Sequence, residues 1–337
     1  MAAPLAAPQQ HLLDEIHAYV SNLDEANPYI REKYRMLADR NSAPALINLF
    51  RHELELAGID PTGKVVLDAG CGSGRFTLLF LLAGAKRVDS IDLFPANVRA
   101  LQAIAQRFSL PINARHVDIC ATGIPEASVD IAYCNEAISH FNDWRAFIRE
   151  TGRVLAPNGR IHIADWNNGA NPWLREEIFS FWEESECGPF RASDYAAGQK
   201  NLPYLFRRWM ILRKSFPSLS DEDIFHIGLR TVGVGGDALL DASKKFVETG
   251  RLPESSFRRG MSQSRPEDGQ RNEEPIDPRE IVRELGAVGV RARARGHFGF
   301  NRSPILPYLN RIAGSMGPLP LFVTRKYLVV GQKIAWG

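Results

Sequence analysis

The stretch Val65-Val66-Leu67-Asp68-Ala69-Gly70-Cys71-Gly72-Ser73-Gly74 leaves an apolar run and enters a helix-forming segment, Arg75 to Ala83. Glycine at three alternate positions removes every Cβ from a turn where backbone must approach a ligand. The spacing is G-x-G-x-G, not the G-x-G-x-x-G of dinucleotide turns, and an acid, Asp68, precedes the glycines. A carboxylate at that point repels a pyrophosphate and favours a ligand that carries an ammonium group and a sulfonium.

Working outward, short apolar runs alternate with helical stretches. The runs are 65–67, 88–91, 112–117, 129–134 and 160–164, and helices are expected at 75–83, 95–108 and 144–155. Such alternation predicts βαβ units, an α/β fold and a mostly parallel sheet with helices on both faces. Before it, residues 1–10 read as an Ala/Pro-rich tail. Residues 11–58 then show the three- and four-residue apolar spacing of helices. Tyr29 and Tyr34 lie on this segment, and core packing is the reading preferred for Tyr29. After Asn167 the alternation stops. Residues 171–250 read as aromatic-rich helices and 251–277 as an exposed polar loop. A helix from Asp277-Pro278 and strands at 291–298 and 326–333 complete the sheet. The expected division is 1–58, an N-terminal helical segment; 59–168, a ligand-binding core; 169–277, a helical insertion serving as substrate cap; and 278–337, completion of the sheet.

Two more acids fall at strand ends. Asp92 lies 24 residues after Asp68 and is placed to accept from ribose hydroxyls. Asp118 closes the third strand and is placed to accept from an adenine amino group, with Leu93 and Ile119 on either side of the ring. Asp89, inside the second strand, reads as a surface or edge residue.

Over residues 30–167 and the two terminal strands, the chain resembles the class I S-adenosylmethionine-dependent methyltransferases. Asp68–Gly74 resembles the first motif of that family, Asp92 its ribose-binding acid and Asp118 its adenine-binding acid. Val129-Asp130-Ile131-Ala132-Tyr133-Cys134-Asn135-Glu136 is similar to its fourth motif. Arg153-Val154-Leu155-Ala156-Pro157-Asn158-Gly159-Arg160 is similar to its turn into the fifth strand, with Asn158 where glycine is common. The resemblance implies a Rossmann-like seven-stranded sheet and S-adenosyl-L-methionine as cofactor. The cofactor contacts it implies are Asp68, Ala69, Gly70, Cys71, Gly72, Gly74, Asp92, Leu93, Asp118, Ile119, Asn135 and Tyr34.

Methyl transfer from a sulfonium is an in-line displacement, so the protein has to align the acceptor and exclude water. A base helps where the acceptor is a hydroxyl. The catalytic candidates after the fourth strand are His140 and Glu136. An imidazole exchanges protons near neutral pH, which makes His140 the first choice as base; the alternative is a packing histidine. Glu136 either orders the cofactor ammonium or is a helix N-terminal charge. Candidate substrate contacts are Ser139, Trp166, Tyr204, Arg207, Arg208 and His226. For the aromatics the alternative is the core of the insertion, and for the arginines a solvated helix face.

The fourth motif lacks Asn/Asp-Pro-Pro-Tyr/Phe, which argues against methylation of planar amide or base nitrogens. No metal-ligand cluster is visible. The insertion resembles a bacterial methyltransferase subgroup associated with surface glycans. The resembling pieces are Glu186-Cys187-Gly188-Pro189, Thr231-Val232-Gly233, Glu274-Pro275-Ile276-Asp277-Pro278, His297-Phe298-Gly299 and Arg302-Ser303-Pro304. A small-molecule or glycan acceptor, with transfer to a hydroxyl, is the expectation. A fold that binds the cofactor without methylating, and a nicotinamide dehydrogenase, are the competing readings. Residues 251–277, with Arg251, Arg258, Arg259, Arg265 and Arg271, read either as a lid or as a passive linker.

Composition bounds the rest. The 337 residues are 45% hydrophobic and 24% charged, an ordinary globular balance. Lys plus Arg is 41 against 39 Asp plus Glu, a net charge of +2 that gives nucleic-acid binding no support. No apolar run approaches the ~20 residues of a bilayer span. The four scattered cysteines form no zinc or disulfide pattern, and the N-terminus has no basic signal region. A cytoplasmic location is the expectation.

Overall fold

The computed structural model describes residues 6–188, 202–251, 257–261, 263–298 and 305–334. They fall into two compact units, one of 1–138, 143–167 and 277–337, the other of 139–142 and 168–276.

The first unit is built on seven strands in the order β3-β2-β1-β4-β5-β7-β6. These are β1 Val65–Ala69, β2 Arg87–Asp92, β3 Ile112–His116, β4 Val129–Asn135, β5 Leu155–Trp166, β6 Val290–His297 and β7 Lys326–Lys333. The first five pair in parallel, and β7 is antiparallel to both β5 and β6. Alternate residues of a strand face opposite sides, yet Val66 to Ala69 and Ile161 to Asp165 are all buried. Both faces of the central sheet are therefore covered. On the face of Val66, Ile131, Tyr133 and Leu328 lie α1 Ala7–Ser21, α2 Pro28–Ala38, α3 Ala43–Ala57 and α4 Arg75–Leu82, which share one core with these strands. The N-terminal helices thus belong to the sheet unit and do not form a separate segment ending at residue 58. An amphipathic helix has nothing to bury its apolar stripe against unless it docks.

Local chemistry sets the helix ends. Asn27 caps α2 by accepting from the Ile30 N–H at 3.0 Å, and Pro28 supplies the first-turn φ. Gly58, left-handed at φ 65°, ends α3. Helix α5, Pro95–Arg107, opens on proline, and Asp143 caps α6, Trp144–Val154, at 2.8 Å from the Ala146 N–H. Helix α11, Pro278–Ala287, carries its own Asp277 cap and packs on β6 and α6; the labels α7–α10 belong to the second unit. Asn158 takes φ 63°, the left-handed position its sequence context calls for.

Three expectations reverse. Tyr29 is 56% exposed whereas Tyr34 is 1% exposed. Asp89 is buried, because its carboxylate is satisfied by Arg87 and by the Asn113 amide at 2.7 Å. Residues 306–315, which carry no helix in the sequence reading, form α12, Leu306–Ser315.

In the second unit, Asn171 caps α7, Pro172–Cys187. Helices α8 Tyr204–Ser215, α9 Asp221–Arg230 and α10 Asp237–Thr249 close around Leu212, Ile224, Ile227 and Leu239. The expected exposed loop at 251–277 is corrected for its described part. Gln263, Pro266 and Ile276 are buried, Gln263 Nε2 donates to the Trp182 carbonyl at 3.0 Å, and Ser264 bridges to Arg271. A Cβ on Gly235 would overlap the Arg265 carbonyl oxygen, so glycine there lets the segment seat against its own unit. Residues 252–256 and 262 lie outside the described residues, as do Pro189, Gly299, Arg302, Ser303 and Pro304.

Candidate functional site

The glycine turn is left-handed at all three alternate positions, with φ 71° at Gly70, 52° at Gly72 and 80° at Gly74. The Gly70 and Cys71 N–H groups donate to the Ile91 carbonyl at 2.9 and 3.0 Å, which ties the turn to the end of β2. Two of these glycines do different work. A Cβ on Gly74 would press into Leu101 and stand 3.1 Å from the Tyr34 hydroxyl, so Gly74 is required by packing. A Cβ on Gly72 would meet nothing within 4 Å, so its bareness serves no protein neighbour.

Asp92 is 8% exposed. One carboxylate oxygen accepts from the Gly72 N–H at 2.8 Å, the other from the Phe94 N–H at 2.7 Å and the Asn97 amide at 3.2 Å. Three of roughly four acceptor positions are filled. About one remains, so Asp92 can take one hydroxyl without rearrangement where the sequence reading gave it two. Burial pushes its carboxyl upward, against the pull of these donors.

Asp68 is buried, with one oxygen accepting from the Thr77 hydroxyl at 2.6 Å. Desolvation pushes it up to about 7, opposed by that hydrogen bond. Tyr34 is also fully buried, and among the described residues its hydroxyl has no hydrogen-bond partner although it stands beside Gly74. A buried hydroxyl of this kind is costly to leave unmade.

Asp118 is exposed and accepts from the Cys120 N–H at 2.8 Å. Leu93 is exposed and Ile119 buried. Ala69 and Cys71 are buried, and burial holds the Cys71 thiol well above its ordinary range.

Asn135 ends β4, and Glu136 follows at φ 52°, a conformation uncommon for a residue with a side chain. Its N–H donates to the Ala164 carbonyl at 2.7 Å, and its carboxylate is ion-paired with Lys326. The Glu136 carboxylate thus takes part in an ion pair across the sheet. Lys326 and Thr77 escaped the sequence reading: the partner of Lys326 is 190 residues away, and Thr77, within the helix after the glycine turn, carries no motif signal. Trp166 is half-buried, with Lys326 over its ring.

Ser139 and His140 belong to the second unit. The His140 Nδ1 lies 3.0 Å from the Arg271 carbonyl oxygen. A carbonyl can only accept, so Nδ1 is the donor in this contact and Nε2 is the nitrogen left for a proton transfer.

The insertion candidates mostly serve their own unit. Arg208 is wholly buried, ion-paired with Glu186, and donates through Nε to the Gly228 carbonyl at 3.1 Å. Its reading as an acceptor contact is corrected: the guanidinium is spent inside. Desolvation pulls it down to about 10, so it stays charged. Arg207 is committed to Glu267 and lies over the Tyr204 ring, and the Tyr204 hydroxyl donates to Asn272 at 3.3 Å. His226 is exposed on α9 beside Glu222. Three of the five arginines of 251–277 are likewise committed: Arg259 to Glu176 and Glu183, Arg265 to Asp268, and Arg271 to Glu274.

Residues 67–163 match the family described as methyltransferase domain. Over 132 residues the chain is 31% identical to the 2-methyl-6-phytyl-1,4-hydroquinone methyltransferase of Synechocystis, covering 38% of this chain and 39% of that protein. Over 135 residues it is 33% identical to the malonyl-[acyl-carrier protein] O-methyltransferase of Yersinia pestis, covering 40% and 46%. A ubiquinone biosynthesis O-methyltransferase of Xanthomonas axonopodis is 28% identical over 159 residues, covering 45% and 65%. The chain spans less than half the length of the first two relatives and about two thirds of the third. Among the described residues, no group of three His, Cys, Asp or Glu is placed to hold a metal, and no helix is long and apolar enough to cross a membrane.

Proposed function

We propose that this chain, whose residues 67–163 belong to the methyltransferase domain family, is a class I S-adenosylmethionine-dependent methyltransferase that transfers the methyl group to an oxygen of a small-molecule acceptor. The observation that carries the reading is the open face of Gly72 beside the one remaining acceptor position of Asp92. The residues present fit the cofactor. Asp92 would take a ribose hydroxyl, Asp118 the adenine amino group, and Leu93 and Ile119 the ring. Asp68 and the orphaned Tyr34 hydroxyl would take the amino-acid end. When bound, the cofactor supplies an electrophilic methyl on a sulfonium; the protein supplies alignment and a dry surface.

The acceptor proposal rests on His140, four residues after Glu136, whose Nε2 is left to take a hydroxyl proton. The printed names of two relatives specify O-methylation, which supports oxygen. Three residues of the pieces that resemble the glycan-associated subgroup have partners within the protein: Glu186 pairs with Arg208, the Thr231 hydroxyl donates to the Ile227 carbonyl at 2.8 Å, and Asp277 caps α11. No observation favours a glycan over another hydroxyl acceptor.

Transfer of labelled methyl from S-adenosylmethionine to a panel of phenols, hydroquinones and carboxylic acids tests the reading. His140→Ala should lower kcat by about 10²-fold with cofactor affinity unchanged. Tight cofactor binding without transfer to any of the panel would favour the noncatalytic reading.

Two binding measurements address the cofactor side. Asp92→Ala should weaken S-adenosylhomocysteine by about 1.5–3 kcal/mol, the range for a hydrogen bond to a charged group, as read by calorimetric titration. The second concerns pH. An ammonium ligand needs Asp68 ionised, and burial holds that carboxyl near 7. Affinity should therefore be full above pH 7 and fall below it, approaching tenfold per pH unit, as protons compete with the ligand. Asp68→Asn should bind weakly and with no such slope; a slope that persists in this variant removes Asp68 from the ammonium site.

A further inference from the structure

From Leu285 to Gly337 the sequence holds eight Lys and Arg and no Asp or Glu, on a chain whose net charge is only +2. The same stretch forms α12 and a short 3-10 turn, Leu319–Phe322. Helix α12 is firmly oriented. Ala313 and Asn310 are buried, and the Asn310 side chain accepts from the Phe298 N–H at 2.9 Å and meets the His297 ring nitrogen at 3.2 Å. Its other side is apolar and open. Tyr308, Ile312 and Met316 are 66%, 56% and 51% exposed, and their four-residue spacing puts them on one face. Leu309, Leu319 and Val323 extend the exposed apolar surface into the turn.

Cations border it. Arg311 is exposed on α12 itself. On β6, Arg293 and Arg295 point to the same face by strand alternation. Arg295 runs beneath α12 at Gly314 and donates to the Leu56 carbonyl at 2.7 Å, while Arg293 is exposed.

We propose that α12 and the turn after it form a docking surface for an anionic lipid bilayer. The apolar stripe would enter the headgroup boundary, and Arg311 and Arg293 would meet lipid phosphates. Exposed apolar side chains gathered on one helix face mark an interaction site. An apolar helix face rimmed with arginine suits an interface that is apolar within and negative outside. Charge complementarity favours an anionic bilayer over a second copy, since a two-fold pairing would set Arg311 and its neighbours against the same cations. The helix has 10 residues, enough to lie along a surface and not to span it. The proposal rests on this surface alone and stands apart from the acceptor reading.

Flotation of the full chain with vesicles tests it, using phosphatidylcholine alone and phosphatidylcholine with phosphatidylglycerol. Binding should appear only with the anionic lipid and weaken with salt. Arg311→Gln should lower the partition coefficient about fivefold. Ile312→Ser with Met316→Ser should lower it by about tenfold or more. Both side chains of that double variant are exposed, so circular dichroism and the melting temperature should match the parent. No binding to either vesicle, equal binding to both, or a double variant that binds like the parent overturns the proposal. So does a concentration-dependent dimer, seen by light scattering, that the double variant abolishes.

Discussion

Gly72→Val is expected to abolish cofactor binding while leaving the fold intact. Gly72 differs from Gly74, two residues on, in what surrounds it. A side chain at Gly74 would collide with Leu101 and the Tyr34 hydroxyl, so that variant would disturb the packing of α2 and α5. A side chain at Gly72 meets open space, and its backbone at φ 52° lies in the left-handed region, where a β-branched residue is strained. The fold absorbs that strain locally, because the turn remains held by the Ile91 carbonyl. The valine methyls would stand where the proposed ligand approaches the backbone, and the Gly72 N–H would no longer be aimed at Asp92 as it is now. Calorimetric titration with S-adenosylhomocysteine should show no heat of binding, and the melting temperature should fall by only a few degrees, about what 1 kcal/mol produces in a domain of this size. Normal affinity in the variant would mean that the turn does not face the ligand.

The sheet was legible because its determinants are local. Apolar runs such as Val65-Val66-Leu67 alternate with helix formers, and proline or asparagine marks the helix starts at Asn27-Pro28 and Phe94-Pro95. Strand ends differed by a few residues, most in β5, which begins at Leu155, five residues before the expected run. The candidate site was legible in outline for the same reason, since Asp68, Asp92 and Asp118 each close a strand or the turn after it. What each acid is doing was not legible. That Gly72 already donates to Asp92, or that Thr77 closes off one side of Asp68, depends on a turn folding back over β2. Tyr29 and Tyr34 show the same limit: both are aromatic, and only the docking of α2 on the sheet decides which one is buried. Helix α12 did carry a signal, the recurrence of Ile305, Leu309, Ile312 and Met316, but its apolar face points outward, so it matches no core pattern.

Arg208 makes the point most sharply, and its replacement carries the largest expected loss of stability. Arg207 and Arg208 are consecutive on α8, so about 100° of helical rotation separates them and they cannot share a face. One pairs with the exposed Glu267; the other goes inside with Glu186, 22 residues earlier on α7. Arg208→Ala would leave the Glu186 carboxylate buried without its cation, and the Gly228 carbonyl without its donor. Breaking one half of a buried ion pair costs about 3–5 kcal/mol. Denaturant unfolding should show that loss in the transition of the insertion, while S-adenosylhomocysteine affinity, set by residues of the sheet unit, should change little. The double replacement Arg208→Met with Glu186→Leu removes both charges and fills similar volume, so it should recover most of the stability. If Arg208→Ala alone unfolds at parent denaturant concentrations and instead raises KM for the methyl acceptor, the guanidinium reaches substrate and the internal pairing is not its function.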